Sequence, residues 1–185
     1  EILGILTKKE ILVVDDPVFL LEKKDWMNLA VYPKIKRKYI LCYLLYQPKY
    51  LNEFLKKIKK DTGYQIISVT PSPYSKIYKD KLVRDVGPDG FLGLIADAEM
   101  VITSSFHGTA LSILLEKQFY SVVGNERGSR ITNVLGKLDL SSRIITDNSF
   151  YSKSDINYQD VNKRVDKIRE NSLECIQKIL NLKSE

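Results

Sequence analysis

The sequence contains only two cysteines and a single histidine, and they stand far apart along the chain. No spacing typical of a zinc or iron–sulfur site occurs, so the sequence predicts no metal centre. Cys42 lies in an apolar, strand-like run, and Cys175 lies on the apolar face of a predicted helix. Both are therefore interpreted as reduced thiols in the core of a cytoplasmic protein, which excludes a small disulfide scaffold.

Long hydrophobic runs are also missing. No stretch reaches the ~18 consecutive apolar residues of a membrane-spanning helix, and the layout of a signal peptide is not present. With 185 residues, 44% of them hydrophobic, the chain is long enough to bury a complete core. We therefore expect one soluble domain over residues 1–185 without a transmembrane segment. We expect it in the cytoplasm, with the inner face of the membrane as a peripheral location.

The net charge is +6 and the isoelectric point is near 9.1. The excess comes from lysines spread along the chain rather than from one basic block, which favours an acidic small molecule over nucleic acid as the partner. Four lysines cluster on a predicted helix, at positions 56, 57, 59 and 60. Because they alternate with apolar residues that face inward, they are interpreted as a solvated face.

Strand and helix signals alternate along the whole chain. Strands are predicted at 39–46, 64–70, 100–102, 119–123 and 143–146, as runs with little polar alternation. Helices are predicted at 22–30, at 48–61, from Gly87 onward, from the turn after Thr103 to Lys117, at 131–138 and at 157–182. The polar segment 71–85 is interpreted as a loop, either over a cleft or as a plain connection. This pattern predicts an α/β fold with a Rossmann-like parallel sheet flanked by helices.

The most informative stretch is the turn between the strand at 100–102 and the helix that follows. Ser104, Ser105 and Gly108 surround His107 there, at the N-terminus of a helix rich in leucine. A helix N-terminus presents unpaired N–H groups and positive potential, so the turn predicts an anion site at the carboxyl edge of the sheet. The alternative is that a serine merely caps the helix and His107 packs.

A glycine-bounded loop, GNERGSR at 124–130, follows the next predicted strand and carries Arg127 and Arg130. The carboxyl ends of neighbouring parallel strands lie at one edge, so these arginines are expected near His107. A guanidinium matches both carboxylate and phosphate geometry, which favours an anionic ligand. A surface salt bridge of Arg130 is an equally good interpretation.

Four segments together resemble the polysaccharide pyruvyl transferase family. They are DDPVFLLEKKDW at 15–26, YILCYLLYQP at 39–48, GPDGFLGLIADAEMVITSSFHGTALSILLEKQF at 87–119 and SRITNVLGKLDLSSRII at 129–145. The most specific parts are the Ser-Phe-His-Gly turn preceded by A-x-x-V-I-T, together with Arg130 and Arg143. The family resembles two-domain glycosyltransferases of the B fold. The resemblance implies that residues 1–185 are the C-terminal, donor-side half of a longer enzyme whose N-terminal half is missing.

The resemblance also implies a reaction. It is the transfer of a pyruvyl group from phosphoenolpyruvate to two sugar hydroxyls, which makes a ketal on a bacterial capsular or cell-wall polysaccharide. Phosphoenolpyruvate is the donor substrate and a glycan or lipid-linked sugar is the acceptor, with no separate cofactor. In this interpretation His107 is the general acid or base, Ser104 and Ser105 hold phosphate, and Arg130 holds the carboxylate. The predicted substrate-binding residues are Ser104, Ser105, Phe106, Gly108, Thr109, Asn125, Arg127 and Arg130.

One departure from the family and two alternatives accompany this prediction. Some members carry an arginine two places before the histidine, where this chain has Ser105. The anion contact made by that arginine has to come from elsewhere, or the donor differs.

A glycosyltransferase would place a nucleotide diphosphate at the same helix and would use an acid to bind the ribose. The nearest acid, Glu116, stands at the far end of the helix. A non-catalytic, polysaccharide-binding half would use exposed aromatic rings; its candidates are Tyr74, Tyr78 and Tyr120.

Overall fold

A computed structural model of the chain describes residues 11–45, 47–70, 76–124, 128–146 and 154–181. The strands are β1 (Tyr39–Tyr43), β2 (Gln65–Val69), β3 (Lys81–Val83), β4 (Met100–Thr103), β5 (Gln118–Val122) and β6 (Ile144–Ile145). The α-helices are α1 (Lys23–Asn28), α2 (Leu51–Thr62), α3 (Pro88–Asp97), α4 (Phe106–Leu114), α5 (Ser129–Lys137) and α6 (Tyr158–Asn181). Two 3-10 helices, Pro17–Leu20 and Ser141–Arg143, complete the described elements.

The six strands form one parallel sheet in the order β3-β2-β1-β4-β5-β6. The predicted α/β class and the Rossmann-like parallel sheet are therefore confirmed. Strand β4 lies in the middle of the sheet, between β1 and β5, as its unbroken apolar sequence predicts. The carboxyl ends of β1, β4 and β5 consequently lie side by side, and the turn with His107 follows the middle strand of the three.

The sheet is covered on both faces, and each face has its own core. Helix α2 covers one face with Leu51, Phe54, Leu55 and Ile58, all of which are buried. These are the residues that the helical periodicity predicts to point inward, and the lysines between them point outward or are only partly buried. The other face packs against α3, α4, α5 and α6. Alternate residues of each strand pack into the two cores, which explains why the strand sequences do not alternate between polar and apolar residues.

Segment 76–85 differs from the prediction of a loop, because it contains the edge strand β3, which is hydrogen-bonded to β2. Three residues are too few to show a periodic pattern, and Lys81 is exposed because it lies at the edge. Asp80 reinforces the pairing by accepting a 2.8 Å hydrogen bond from the backbone N–H of Ile66. Residues 71–75, including Tyr74, lie outside the described residues.

Helix α4 ends at Leu114, three residues earlier than predicted. The cause is Glu116, whose φ of 56° places it in the left-handed region, where an α-helix cannot continue. Its carboxylate lies 2.5 Å from Nζ of Lys23 and 2.7 Å from the side-chain amide of Asn162. Glu116 thus ties α4 to α1 and α6. Its position at the far end of α4 leaves it away from the turn at His107.

The C-terminal helix is confirmed, as Tyr158–Asn181 against the predicted 157–182. Its first half buries Val161, Val165 and Ile168 against the sheet, whereas Ile179 and Leu180 at its end are exposed. The helix therefore leaves part of its apolar surface exposed at its C-terminal end. Among the described residues, no helix combines the length and apolar character that crossing a bilayer requires.

Both cysteines are free. Cys42 lies within β1 and is completely buried, and this burial raises the pKa of its thiol well above the ordinary value. A thiol of this kind stays protonated and does not act as a nucleophile. The prediction of a reduced core cysteine therefore holds for Cys42, while Cys175 lies half-buried on α6.

Candidate functional site

Close packing fixes the turn between β4 and α4. Gly108 lies so near Thr103 that a Cβ atom at this position would come within 2.4 Å of the threonine Oγ1. That hydroxyl is itself fixed, because it donates 2.7 Å to the carbonyl of Tyr43 and accepts 3.1 Å from the N–H of Ser105. The missing side chain of Gly108 therefore allows α4 to pack close to β4, and the N-terminus of α4 is held over the ends of β1 and β4.

The polar side chains below this turn form a buried hydroxyl cluster of Thr103, Ser105, Thr109 and Ser121. Ser105 is the N-cap of α4, and its Oγ accepts a 3.4 Å hydrogen bond from the N–H of Gly108. Its carbonyl accepts from both the N–H and the hydroxyl of Thr109, each at 3.0 Å. The same hydroxyl lies 2.8 Å from Oγ of Ser121 on β5. The interpretation of Ser105 as a helix cap thus fits the geometry, and its contact with phosphate stays a prediction.

Ser104 joins the ends of two strands. Its Oγ accepts a 2.8 Å hydrogen bond from the N–H of Leu45, and its own N–H donates 3.2 Å to the carbonyl of Tyr43. The residue is half-buried. Its backbone and side chain therefore help to hold β1 against β4 at the edge where a ligand is expected.

His107 lies in an exposed charged cluster that consists of Asp16, Phe106, His107 and Arg130. The histidine side chain is 60% exposed, which excludes the alternative that it packs in the core. Its Nε2 lies 3.8 Å from one carboxylate oxygen of Asp16, and the other oxygen accepts a 2.6 Å hydrogen bond from Nη2 of Arg130. Phe106 contacts both of these side chains, with its ring 5.5 Å from the imidazole and 4.0 Å from the guanidinium carbon.

Asp16 is the member of this cluster that sequence reasoning missed as a site residue. It caps the first 3-10 helix, where its carboxylate accepts a 3.1 Å hydrogen bond from the N–H of Val18. The capping signal is visible in the sequence, because an Asp before a Pro is typical of a helix start. Its proximity to Arg130, 114 residues further along the chain, is a tertiary contact that no local pattern indicates.

A groove of about 610 Å³ opens beside the exposed charged cluster. Asp16, Phe106 and Arg130 form one of its walls. A second ion pair lies further along it, between Lys137 and Asp15 at 2.5 Å. The groove therefore alternates cationic and anionic side chains, and each of its two aspartates has a cationic partner.

The backbone adds donors to this edge. Within the described residues, the oxygens of Ser105 accept from the N–H groups of Gly108 and Thr109 and not from those of Phe106 and His107, which as first-turn groups have no intrahelical carbonyl to pair with. These two N–H groups belong to the first turn of α4, where the helix dipole favours negative charge. An anion beside His107 would thus meet two backbone donors, an imidazole and the guanidinium of Arg130.

Other predicted residues lie elsewhere. Asn125 and Arg127 fall outside the described residues. Arg143 is buried and contacts the hydroxyl of Tyr120 and the carbonyl of Ser154, so it does not join the exposed charged cluster. Tyr120 itself is only 1% exposed, which makes the suggestion of this ring as a sugar platform wrong. In the described ranges, no group of three potential metal ligands occurs.

The chain was compared with solved structures. The UDP-GlcNAc 2-epimerase of Methanocaldococcus jannaschii, in complex with UDP-GlcNAc and UDP, aligns with a TM-score of 0.52 and 17% identity, over 98% of this chain and 57% of that one. The UDP-GlcNAc 2-epimerase of Neisseria meningitidis bound to UDP-GlcNAc aligns at 0.45 and 12%, over 86% and 48%. The wall teichoic acid polymerase TagF aligns at 0.34 and 14%, over 95% and 46%.

The chain spans about half the length of these proteins. The likeness to the first epimerase supports the predicted resemblance to one half of a B-type glycosyltransferase fold, and at such low identity it shows the fold alone. No curated protein matches the sequence significantly. The family model named polysaccharide pyruvyl transferase matches residues 1–127, which is more than half of the chain and includes the turn at His107. The chain therefore belongs to the polysaccharide pyruvyl transferase family.

Proposed function

We propose that this chain is the donor-side part of an enzyme that transfers a pyruvyl group from phosphoenolpyruvate to two hydroxyls of a sugar. The product is a cyclic ketal on a capsular or other envelope polysaccharide, and inorganic phosphate is released. Family membership supports a transferase of polysaccharide synthesis. The observation that carries the choice of donor is the exposed charged cluster, in which His107 and Arg130 flank one carboxylate at the carboxyl edge of the sheet.

The donor has features that match these side chains. Phosphoenolpyruvate carries a carboxylate and a phosphate on one carbon, so a cation with several N–H donors and a nearby set of backbone N–H groups suits it. Arg130 is assigned to the carboxylate, and the N–H groups of Phe106 and His107 are assigned to the phosphate. Some family members have an arginine at the position of Ser105. In this chain Arg130 would supply the corresponding anion contact, because it places a guanidinium on the face of Phe106, next to His107.

His107 is assigned to proton transfer. In the first step the methylene carbon of the donor gains a proton and one sugar hydroxyl bonds to the neighbouring carbon. In the second step phosphate leaves and the other hydroxyl bonds to the same carbon. Two hydroxyl protons are lost in total, of which one ends on the new methyl group and one leaves with phosphate. Imidazole side chains commonly serve as general acids or bases, and that of His107 is exposed in the cluster beside the groove.

The acceptor and the remainder of the site belong to this proposal too. A glycan or a lipid-linked sugar would reach His107 from the open side of the edge, and residues of an N-terminal half would complete its binding. The cytoplasm is the expected compartment, because phosphoenolpyruvate is an intracellular metabolite. Neither a metal nor a separate cofactor is required by the steps above.

The experiment compares two donors on the complete protein. Calorimetric titration with phosphoenolpyruvate is expected to show saturable binding, and UDP-GlcNAc is expected to show none. Phosphoenolpyruvate labelled with ¹³C at the enol carbon is then incubated with envelope glycan, and carbon NMR should show a ketal carbon alongside released phosphate. Binding of UDP-GlcNAc without binding of phosphoenolpyruvate would instead support the glycosyltransferase alternative.

A further inference from the structure

Arg130 has an anionic partner already in place before any donor arrives. Nη2 of its guanidinium donates to Asp16 at 2.6 Å, and one face of the group lies on the ring of Phe106. The carboxylate is only 17% exposed, whereas the arginine side chain is 59% exposed. The acid is thus the fixed partner, held by its cap to the N–H of Val18, and the arginine is the partner that solvent reaches.

This pairing restricts what binds. Nη2 carries two N–H groups, and its hydrogen bond to Asp16 uses one of them. An anion that approaches this edge of the guanidinium therefore comes close to the Asp16 carboxylate, whose like charge repels it unless Asp16 is displaced. The opposite charges of Asp16 and Arg130 also offset each other, so a simple anion gains little attraction from this ion pair.

We propose that Asp16 sets the anion specificity of the site by occupying Arg130 until a donor with two anionic groups displaces it. The proposal rests on the proposed function, because it takes the exposed charged cluster as the donor site. A donor with both a carboxylate and a phosphate replaces the lost ion pair with contacts to Arg130, His107 and the backbone N–H groups of α4. A lone phosphate makes only part of these contacts and competes poorly with the internal carboxylate.

Asp16→Asn isolates the effect of the charge. The amide oxygen of asparagine still caps the 3-10 helix, so the fold is expected to persist, and thermal unfolding checks this. Asp15→Asn is the matched control, because it removes a charge one residue away in the same groove but from a pair with Lys137. Both variants are also made in an Arg130→Gln background. The ligands are inorganic phosphate and phosphoenolpyruvate, titrated calorimetrically into the complete protein.

Asp16→Asn is expected to raise the affinity for inorganic phosphate about tenfold and that for phosphoenolpyruvate by less, so that discrimination between them falls. Asp15→Asn should change either affinity by less than about twofold, and Arg130→Gln should abolish the gain. Unchanged or weaker phosphate binding in Asp16→Asn, an equal gain in Asp15→Asn, or a gain that survives Arg130→Gln would each overturn the proposal. The phosphate titrations need no turnover. They can therefore fail while the comparison of phosphoenolpyruvate with UDP-GlcNAc succeeds, so failure of this proposal is distinguishable from failure of the proposed function.

Discussion

Arg130 and Arg143 are the two arginines that the family resemblance singles out, and the structure gives them opposite surroundings. Arg130 is 59% exposed, pairs with Asp16 and lies on the ring of Phe106. Arg143 is only 4% exposed and bonds to the hydroxyl of Tyr120 and a backbone carbonyl. Its Nε has no hydrogen-bond partner in the described part of the chain.

The difference teaches that one residue type serves two purposes in this fold. The buried guanidinium of Arg143 bonds to a tyrosine hydroxyl and a backbone carbonyl, and so holds the 3-10 helix before β6 against β5 and the segment before α6. The exposed guanidinium of Arg130 is the one that the proposed function assigns to the donor. We therefore assign a structural role to Arg143 and propose a binding role for Arg130, and the following predictions test that separation.

The largest effect is expected for His107→Ala. Removal of a general acid or base typically lowers turnover by a factor of ~100 to 10,000. Because the imidazole is exposed, the free energy of unfolding should hardly change. Donor affinity should be largely retained, since the carboxylate and the phosphate of the donor are assigned to Arg130 and the backbone N–H groups of α4. Ketal formation by the complete enzyme, followed by product analysis, measures the first quantity. Full turnover in this variant would remove the exposed charged cluster from the mechanism.

Arg143→Ala is the next largest, and it concerns stability. The substitution removes a buried side chain together with its hydrogen bonds to Tyr120 and Ser154, so the free energy of unfolding should fall by about 2–4 kcal/mol. Chemical denaturation followed by circular dichroism measures this loss. Arg130→Ala is the matched control and should lose less than about 1 kcal/mol, since its ion pair is exposed. Equal losses in the two variants would erase the distinction between the two arginines.

Gly108→Ala should destabilise the protein by about 1–3 kcal/mol, because the new methyl group meets the immobilised hydroxyl of Thr103. Gly136→Ala is the control, since a Cβ atom there has nothing within 4 Å. It lies inside α5, where alanine is favoured over glycine, and should stabilise by ~0.5–1 kcal/mol. Thermal unfolding of both variants tests whether helix placement at the turn depends on this contact. A Gly108→Ala variant as stable as Gly136→Ala would contradict it.

Much of the fold could be predicted because its signals are local. Apolar strands of four or five residues and helices with clear periodicity occur in regular alternation, and both the parallel sheet and the central place of β4 follow from them. The misses involve weaker signals. Strand β3 has only three residues, and the early end of α4 depends on the backbone conformation of Glu116.

The candidate site could be predicted only in part. Sequence order places His107 and Arg130 after neighbouring strands, so their shared edge follows from the topology. The serine cap at this turn is likewise a local signal, and Ser105 makes that contact. The sequence does not reveal that Asp16 reaches across to Arg130, because this contact is set by tertiary packing between residues 114 positions apart.

The most direct test of the separation is a matched pair, Arg130→Lys and Arg143→Lys, in which charge is kept but the planar fork is lost. Phosphoenolpyruvate affinity is measured by calorimetry at a temperature where both variants are folded. We predict that Arg130→Lys binds the donor about tenfold more weakly, with an unchanged melting temperature. Arg143→Lys should melt earlier yet bind the donor within about twofold of the unmodified protein. A tenfold loss of donor affinity in Arg143→Lys, with normal binding in Arg130→Lys, would contradict the account.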